Sequence, residues 1–379
     1  MKKLSLYIHI PVCTKKCYYC DFYSESSYSE LIAPYIHALS YEWELVSHQF
    51  NLCDAIVDTI YIGGGTPSLL PEKLWNILVR ELFARLNHSN TMEWSIECNP
   101  DSFTSEKAYM YAQSGVNRLT FGIQSLFDEE LKLLGRIHTV KRALDVLNDK
   151  SLEKFDSIGA DLMYGIPDQT VKSFSESLQT LLSSSYLKHL SAYELIIEPA
   201  TQLGRIQKKL SFPDEEAVIE MVGELLDKTG RYGFNRYEIS NFAKSGFNCR
   251  HNEIYWEHEP YIGLGASAHS YIHPYRWSNS RDIREYITMM NKGELPLDEK
   301  ERINSDTLAR EMVFLGFRRC CGLNENLFEI KTGKNFIEWA GFEKIEKFIK
   351  MGIINYQKPW YRLSESGFLI ADAVAREFF

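Results

Sequence analysis

The 379-residue chain contains no apolar run long enough to span a bilayer, so no membrane-spanning helix is expected. Its opening stretch, MKKLSLYIHIPVC, is apolar only briefly. His9 and Pro11 interrupt it and no small-residue cleavage site follows, so a secretory leader is not expected. Val12 before Cys13 argues equally against a lipoprotein site. Positive charge is in deficit: 42 Lys and Arg against 51 Asp and Glu leave a net charge of −9. That balance is poorly suited to neutralising phosphates, so nucleic acid is not an expected partner. There is no fixed-period repeat and no low-complexity tract, which excludes solenoids and long linkers. The expected location is the cytoplasm. What remains is an ordinary globular composition, 45% hydrophobic and 25% charged, long enough for one large domain and a smaller one.

Along the chain, strand-like runs alternate with helical ones. LSLYIHI (4–10), DTIYIGG (58–64), MEWSIEC (92–98), NRLTFGIQ (117–124), FDSIGADLMYGIP (155–167) and LKHLSAYELI (187–196) read as strands, each followed by a helical stretch. The first helix is expected from about Ser29 to Ser47. Such alternation implies an α/β fold with a parallel sheet covered by helices. An open doubly wound sheet would also fit, but polar residues recur near the strand C-termini, where barrels place their sites, and a partial barrel is favoured. After about residue 295 the texture changes. LPLDEKER reads as a polar loop, and the helix, helix, hairpin, helix order that follows is winged-helix-like. Its acidic and aromatic last helices do not suit DNA binding.

Eight cysteines are present, and in a reducing cytosol they read as ligands or buried thiols rather than disulfides. Cys13, Cys17 and Cys20 fall within eight residues, as C-x3-C-x2-C directly after a strand. Thiolates suit iron–sulfur clusters or zinc. Structural zinc wants a fourth protein ligand, and no second Cys or His pair follows at finger-like spacing. Three thiolates can instead hold three irons of a [4Fe–4S] cubane and leave the fourth open to a small molecule, as S-adenosylmethionine (SAM) binds through its amine and carboxylate.

Beyond the cysteines, YIHIPVCTKKCYYCDF, YIGGGTPS and GADLMYGIPDQT together resemble the radical SAM family of oxygen-independent coproporphyrinogen III oxidases, over essentially the whole chain. HNEIYW (251–256) is similar to the H-N-x-x-Y-W motif of that family's heme-chaperone branch. The resemblance implies a partial (β/α)6 barrel over residues 1–235, an extension carrying the motif over 236–295, and a small C-terminal α+β domain over 296–379. It also implies SAM contacts. Tyr7 stands where the family's SAM-contacting tyrosine does, and Tyr19 where a backbone meets the adenine. Gly63, Gly64, Gly65 and Thr66 match the glycine-rich strand end. There, absent side chains would let the backbone approach SAM, although a bare tight turn would use glycines too. Glu97 matches a ribose-contacting carboxylate. Gln124, Arg136 and Asp161 match further positions of the nucleoside site, which in the oxidases surrounds a second SAM. Cys98, next to Glu97 on a strand, points the other way and reads as a core thiol.

For heme, the resemblance offers His251 as an axial ligand, since imidazole is the common proximal ligand. Tyr255 and Trp256 would pack on the porphyrin. Cys249 is a second candidate ligand or attachment point, a buried thiol being the plainer reading. His269 and His273 are expected to hydrogen-bond rather than ligate, and Asn252 to fix local backbone. Two departures point away from the oxidases: Phe22 replaces a further cysteine, and only six residues precede Tyr7. The leading expectation is a chaperone that binds heme and delivers it to acceptor hemoproteins, respiratory ones among them, with the cluster and SAM in support. A homodimer is compatible with the resemblance. The competing expectation is an oxidase that cleaves SAM reductively to remove hydrogen from a porphyrinogen propionate. An RNA-modifying enzyme lacks an appended basic domain. No catalytic residue is assigned.

Overall fold

A computed structural model describes residues 3–25 and 30–379. The expected start of the first helix near Ser29 lies outside the described residues; the helix itself runs Ile32–Gln49. Six strands form in the order expected: β1 (Lys3–Ile10), β2 (Ile56–Gly64), β3 (His88–Cys98), β4 (Arg118–Gln124), β5 (Ser157–Tyr164) and β6 (Leu187–Glu194). Each pairs in parallel with the next. Their runs are buried almost throughout, as strands covered on both faces must be. The sequential order decides between the two architectures. A doubly wound sheet reverses direction at a switch point, whereas a monotonic order with crossovers of one hand sends every helix to the same side, as in a barrel. The barrel stays open, because β1 and β6 continue into other strands instead of meeting.

Those other strands come from residues 235–302, where no strand was expected. β7 (Asn235–Arg236) and β8 (Asn241–Ala243) extend the β6 edge. β9 (Tyr261–Leu264), β10 (His269–Ile272), β11 (Tyr275–Asn279) and β12 (Leu297–Arg302) extend the β1 edge, with β9 parallel to β1 at Ser5↔Tyr261. The stretch LPLDEKER, expected as a polar loop, thus supplies the outermost strand. Every residue of β12 is exposed, and its charges suit an edge that must not pair further.

One buried carboxylate locks this extension to the first helix. Glu42, on helix Ile32–Gln49, accepts from the Tyr286 hydroxyl at 2.5 Å, Asn279 Nδ2 at 2.5 Å and Gly265 N at 2.8 Å. Burial raises its pKa to about 7 against those bonds. Beyond β12, helices from Ser305 onward and a three-stranded antiparallel sheet of β13 (Leu323–Asn324), β14 (Ile354–Gln357) and β15 (Trp360–Leu363) surround a second core of Phe317, Phe328, Phe336 and Val374. Tyr271 of β10 belongs to that second core, so the two cores meet along the β9–β10 edge.

Candidate functional site

The loop after β1 carries Cys13, Cys17 and Cys20, all free and half-buried. It is braced against the barrel mouth. Thr66 N donates to the Val12 carbonyl at 2.6 Å, Gly65 N to Ile10 O at 3.0 Å and Tyr18 N to Leu134 O at 2.9 Å. Cys13 Sγ lies 3.6 Å from Thr66 Oγ1, and Arg136 Nη1 donates to Cys17 Sγ at 3.4 Å. Burial pushes the Cys13 thiol up and the Cys20 thiol to about 11, with neighbouring thiols adding to both. Three partly buried sulfurs on one loop are a donor set that a cation would neutralise, and they fit an iron–sulfur cluster. Among the described residues, no three His, Cys, Asp or Glu side chains are grouped to hold one metal ion. A cubane, whose irons each take a separate thiolate, does not require such a group.

At the C-terminal strand ends a polar cluster forms beside this loop. Glu97 Oε1 accepts from the Tyr61 hydroxyl at 2.9 Å and Oε2 from Gly64 N at 3.3 Å, while burial raises its pKa. Asp161, level with Gly122 across the β4–β5 pair, is raised to about 7 by burial and by the nearby Glu97 charge. Arg136 is half-buried, with Nη2 donating to Asn99 Oδ1 at 2.8 Å and Gly122 O at 2.7 Å, and its Nε has no partner among the described residues. Gln124, in a left-handed conformation (φ 68°), accepts from the Tyr193 hydroxyl at 3.0 Å. Tyr7 stacks near Tyr61 at 6.4 Å and reaches His9 Nδ1 at 3.0 Å. Tyr19 is pushed up by burial and feels Arg136, Cys17, Cys20 and Asp161. Two carboxylates, a guanidinium with an unused N–H and several hydroxyls can hold the hydroxyls and charged groups of a nucleoside amino acid.

The glycines serve the protein's own packing first. A Cβ on Gly63 would sit 2.9 Å from the Glu97 carboxylate, and one on Gly65 2.7 Å from the Val12 carbonyl. Gly64 (φ 107°) leaves space that the His9 ring fills. Cys98 is in the core, as its alternation with Glu97 requires.

The motif residues pack against β2 and β3. Cys249 and His251 are each only 1% exposed. His251 stacks on Tyr61 at 5.3 Å, with Nδ1 2.7 Å from Thr59 Oγ1 and Nε2 2.9 Å from the Tyr255 hydroxyl. Both ring nitrogens are therefore engaged, and burial lowers the pKa to about 3. In this conformation the imidazole is not open to an iron. Glu93 of β3 caps the helix Arg250–Trp256, accepting from Arg250 N at 3.1 Å, His251 N at 3.0 Å and Cys249 Sγ at 3.6 Å. Tyr255 and Trp256 are half-buried on that helix. His269 is exposed on β10, and His273 lies 3.4 Å from the Tyr271 hydroxyl. Phe22 is 69% exposed. Thr59, Tyr61, Glu93, Asn99 and Tyr193 were not singled out from the sequence. Tyr61 and Tyr193 could have been, since each sits at the C-terminal end of a predicted strand.

Residues 7–181 match the Radical SAM superfamily. The chain is 33% identical over 377 residues to heme chaperone HemW of Bacillus subtilis, covering 99% of this chain and 98% of that one. It is 32% identical to heme chaperone HemW of Escherichia coli over 99% and 98% of the two chains. Among solved structures, coproporphyrinogen III oxidase HemN of Escherichia coli, a radical SAM enzyme, superposes with a TM-score of 0.85 at 21% identity, covering 100% of this chain and 90% of that one.

Proposed function

The chain belongs to the HemW family of heme chaperones, and from that premise we propose that it binds heme and transfers it to acceptor hemoproteins. The observation that carries this reading is likeness over the full length to chaperones, joined to a complete donor set at the barrel mouth. Cys13, Cys17 and Cys20 hold the [4Fe–4S] cluster. When bound, that cluster supplies one-electron chemistry and an open iron for the amine and carboxylate of SAM.

The surrounding residues bind and orient. Glu97, held by Tyr61 and Gly64 N, offers its carboxylate to the ribose hydroxyls. Asp161 and Gln124 extend the same wall, and Arg136 carries an unused N–H into it while anchoring Cys17. Tyr7 shapes the floor, and the backbone at Tyr19 and from Gly64 to Thr66 forms the rim. Heme is the cargo, contacted on the side of the motif helix by Tyr255 and Trp256. His251 and Cys249 would reach heme iron only after the ring leaves Thr59 and Tyr255 and the thiol leaves Glu93.

The test is made anaerobically on the reconstituted protein. Hemin should give a stoichiometric Soret band and move from this protein to an apo-hemoprotein. Coproporphyrinogen III, with SAM and a reductant, should remain unconverted. Efficient conversion without heme binding would replace the chaperone reading by the oxidase one.

A further inference from the structure

Alternate residues of a strand share a face. In β1 and β2 one face carries Leu6, Ile8, Ile60 and Ile62, all buried in the main core. On β3 the same face carries Trp94, which packs on Trp75 of the helix Glu72–Glu81, so it looks outward to the covering helices. The other face lines the inside of the open barrel, and the register stacks its residues in layers. Ser5, Thr59 and Glu93 are level with one another. Tyr7, Tyr61 and Ser95 stand one layer nearer the cysteine loop, and Glu97 one layer beyond them.

The motif helix docks on the lowest of these layers. Thr59 Oγ1 lies 2.7 Å from His251 Nδ1 and gives its own proton to Ser5 Oγ at 2.8 Å. The bond between Thr59 and the imidazole is therefore donated by Nδ1–H. Nε2 keeps the lone pair, and the Tyr255 hydroxyl donates to it at 2.9 Å. An iron bound at Nε2 would take that same lone pair, so the docked ring and ligation through Nε2 exclude each other.

Tyr61 joins this layer to the SAM pocket. Its hydroxyl donates to Glu97 Oε1 at 2.9 Å, and its ring lies 5.3 Å from the His251 ring at 26°, nearly parallel. A single side chain thus separates the motif's imidazole from the carboxylate offered to the ribose. While His251 is docked, it backs the Tyr61 ring in the direction that puts the hydroxyl on Glu97. An aromatic contact of this kind is worth roughly two- to tenfold in population.

We propose that His251 is a positioning residue of the SAM site in its docked state, acting on Glu97 through Tyr61, and that SAM and heme therefore oppose each other across Tyr61. The inference rests on the heme-chaperone reading, in which His251 undocks to take heme iron. Undocking removes the support of Tyr61 and weakens SAM. Coupling between two ligands is reciprocal, so SAM favours the docked ring and the release of heme by the same factor. A chaperone built this way holds its cargo until SAM arrives.

The test is a hemin titration of the reconstituted full chain, anaerobic and read by the Soret band, without SAM and with saturating SAM. SAM should weaken hemin binding about two- to tenfold, and hemin should weaken SAM by the same factor in calorimetry. Tyr61→Phe keeps the ring but cuts the link to Glu97, so hemin should still bind and SAM should no longer change its affinity. Thr59→Val removes a bond of the docked state alone, so hemin should bind several-fold tighter, a gain that misfolding does not give. If hemin binds the wild-type chain equally with and without SAM, or Tyr61→Phe keeps the full coupling, or Thr59→Val weakens hemin, the inference is wrong and the chaperone reading stands. If the wild-type chain binds no hemin, both fall.

Discussion

Asp161 offers a sign-defined test of the barrel mouth. Its carboxyl is raised to about 7 by burial and by Glu97, against an ordinary value of 3.8. Below pH 3.8 both folded and unfolded chains hold the proton. Between 3.8 and about 7 the unfolded chain releases it while the folded chain keeps it, so stability falls as pH rises through that window. Above it the penalty is constant. Holding the proton across that window is worth about 4 kcal/mol as an upper bound. The side chain is only half-buried by exposure, so solvent screening reduces this to about 2–4 kcal/mol. Asp161→Asn keeps the volume and an oxygen for the Ser191 hydroxyl but removes the charge. At pH 8, without SAM, the variant should melt about 3–5 °C above wild type, given the entropy of unfolding a chain of this length, and at pH 4 the two should coincide. SAM affinity should move the opposite way: Asp161→Asn should bind SAM more weakly at pH 8, with a smaller gap at pH 6, where the native carboxyl is already mostly protonated. The assays are thermal melts and anaerobic calorimetry at the two pH values. A variant less stable than wild type at pH 8, with the same pH slope, would refute the argument.

The remaining expectations are simpler. Replacing Cys13, Cys17 and Cys20 together by Ala should leave the reconstituted protein without its brown chromophore and without the roughly four irons per chain that a cubane implies; iron and sulfide analysis decides it. Glu97→Gln should retain the cluster but weaken SAM, so that the SAM-induced change in the cluster's EPR spectrum appears only at higher SAM concentration. Glu93→Ala uncaps the motif helix and should lower stability by about 1–2 kcal/mol, read by thermal unfolding.

The alternation of strand-like and helical runs made the six parallel strands legible, and the polar residues at their ends were found through the family resemblance; strand alternation added only that Cys98 faces away from Glu97. The edge strands were not legible. β12 alternates nothing and is exposed throughout, and β9 is only four residues long and is defined by its partner β1 rather than by its own pattern. The partner of His251 was not legible for a related reason: Thr59, whose Oγ1 lies 2.7 Å from its Nδ1, is 192 residues away.

The pairing of β9 with β1 has a consequence for biosynthesis. Ser5 lies opposite Tyr261, so the second edge of the strand leading into the cysteine loop is covered by a segment made 256 residues later. At a translation rate of about 5–20 residues per second, that edge waits roughly 13–50 s for its partner. Glu42 waits nearly as long for Gly265, Asn279 and Tyr286. During that interval the nascent chain presents one open edge of an apolar strand beside its three thiols, a hazard for intermolecular pairing and an open period for loading iron and sulfide before that edge is sealed.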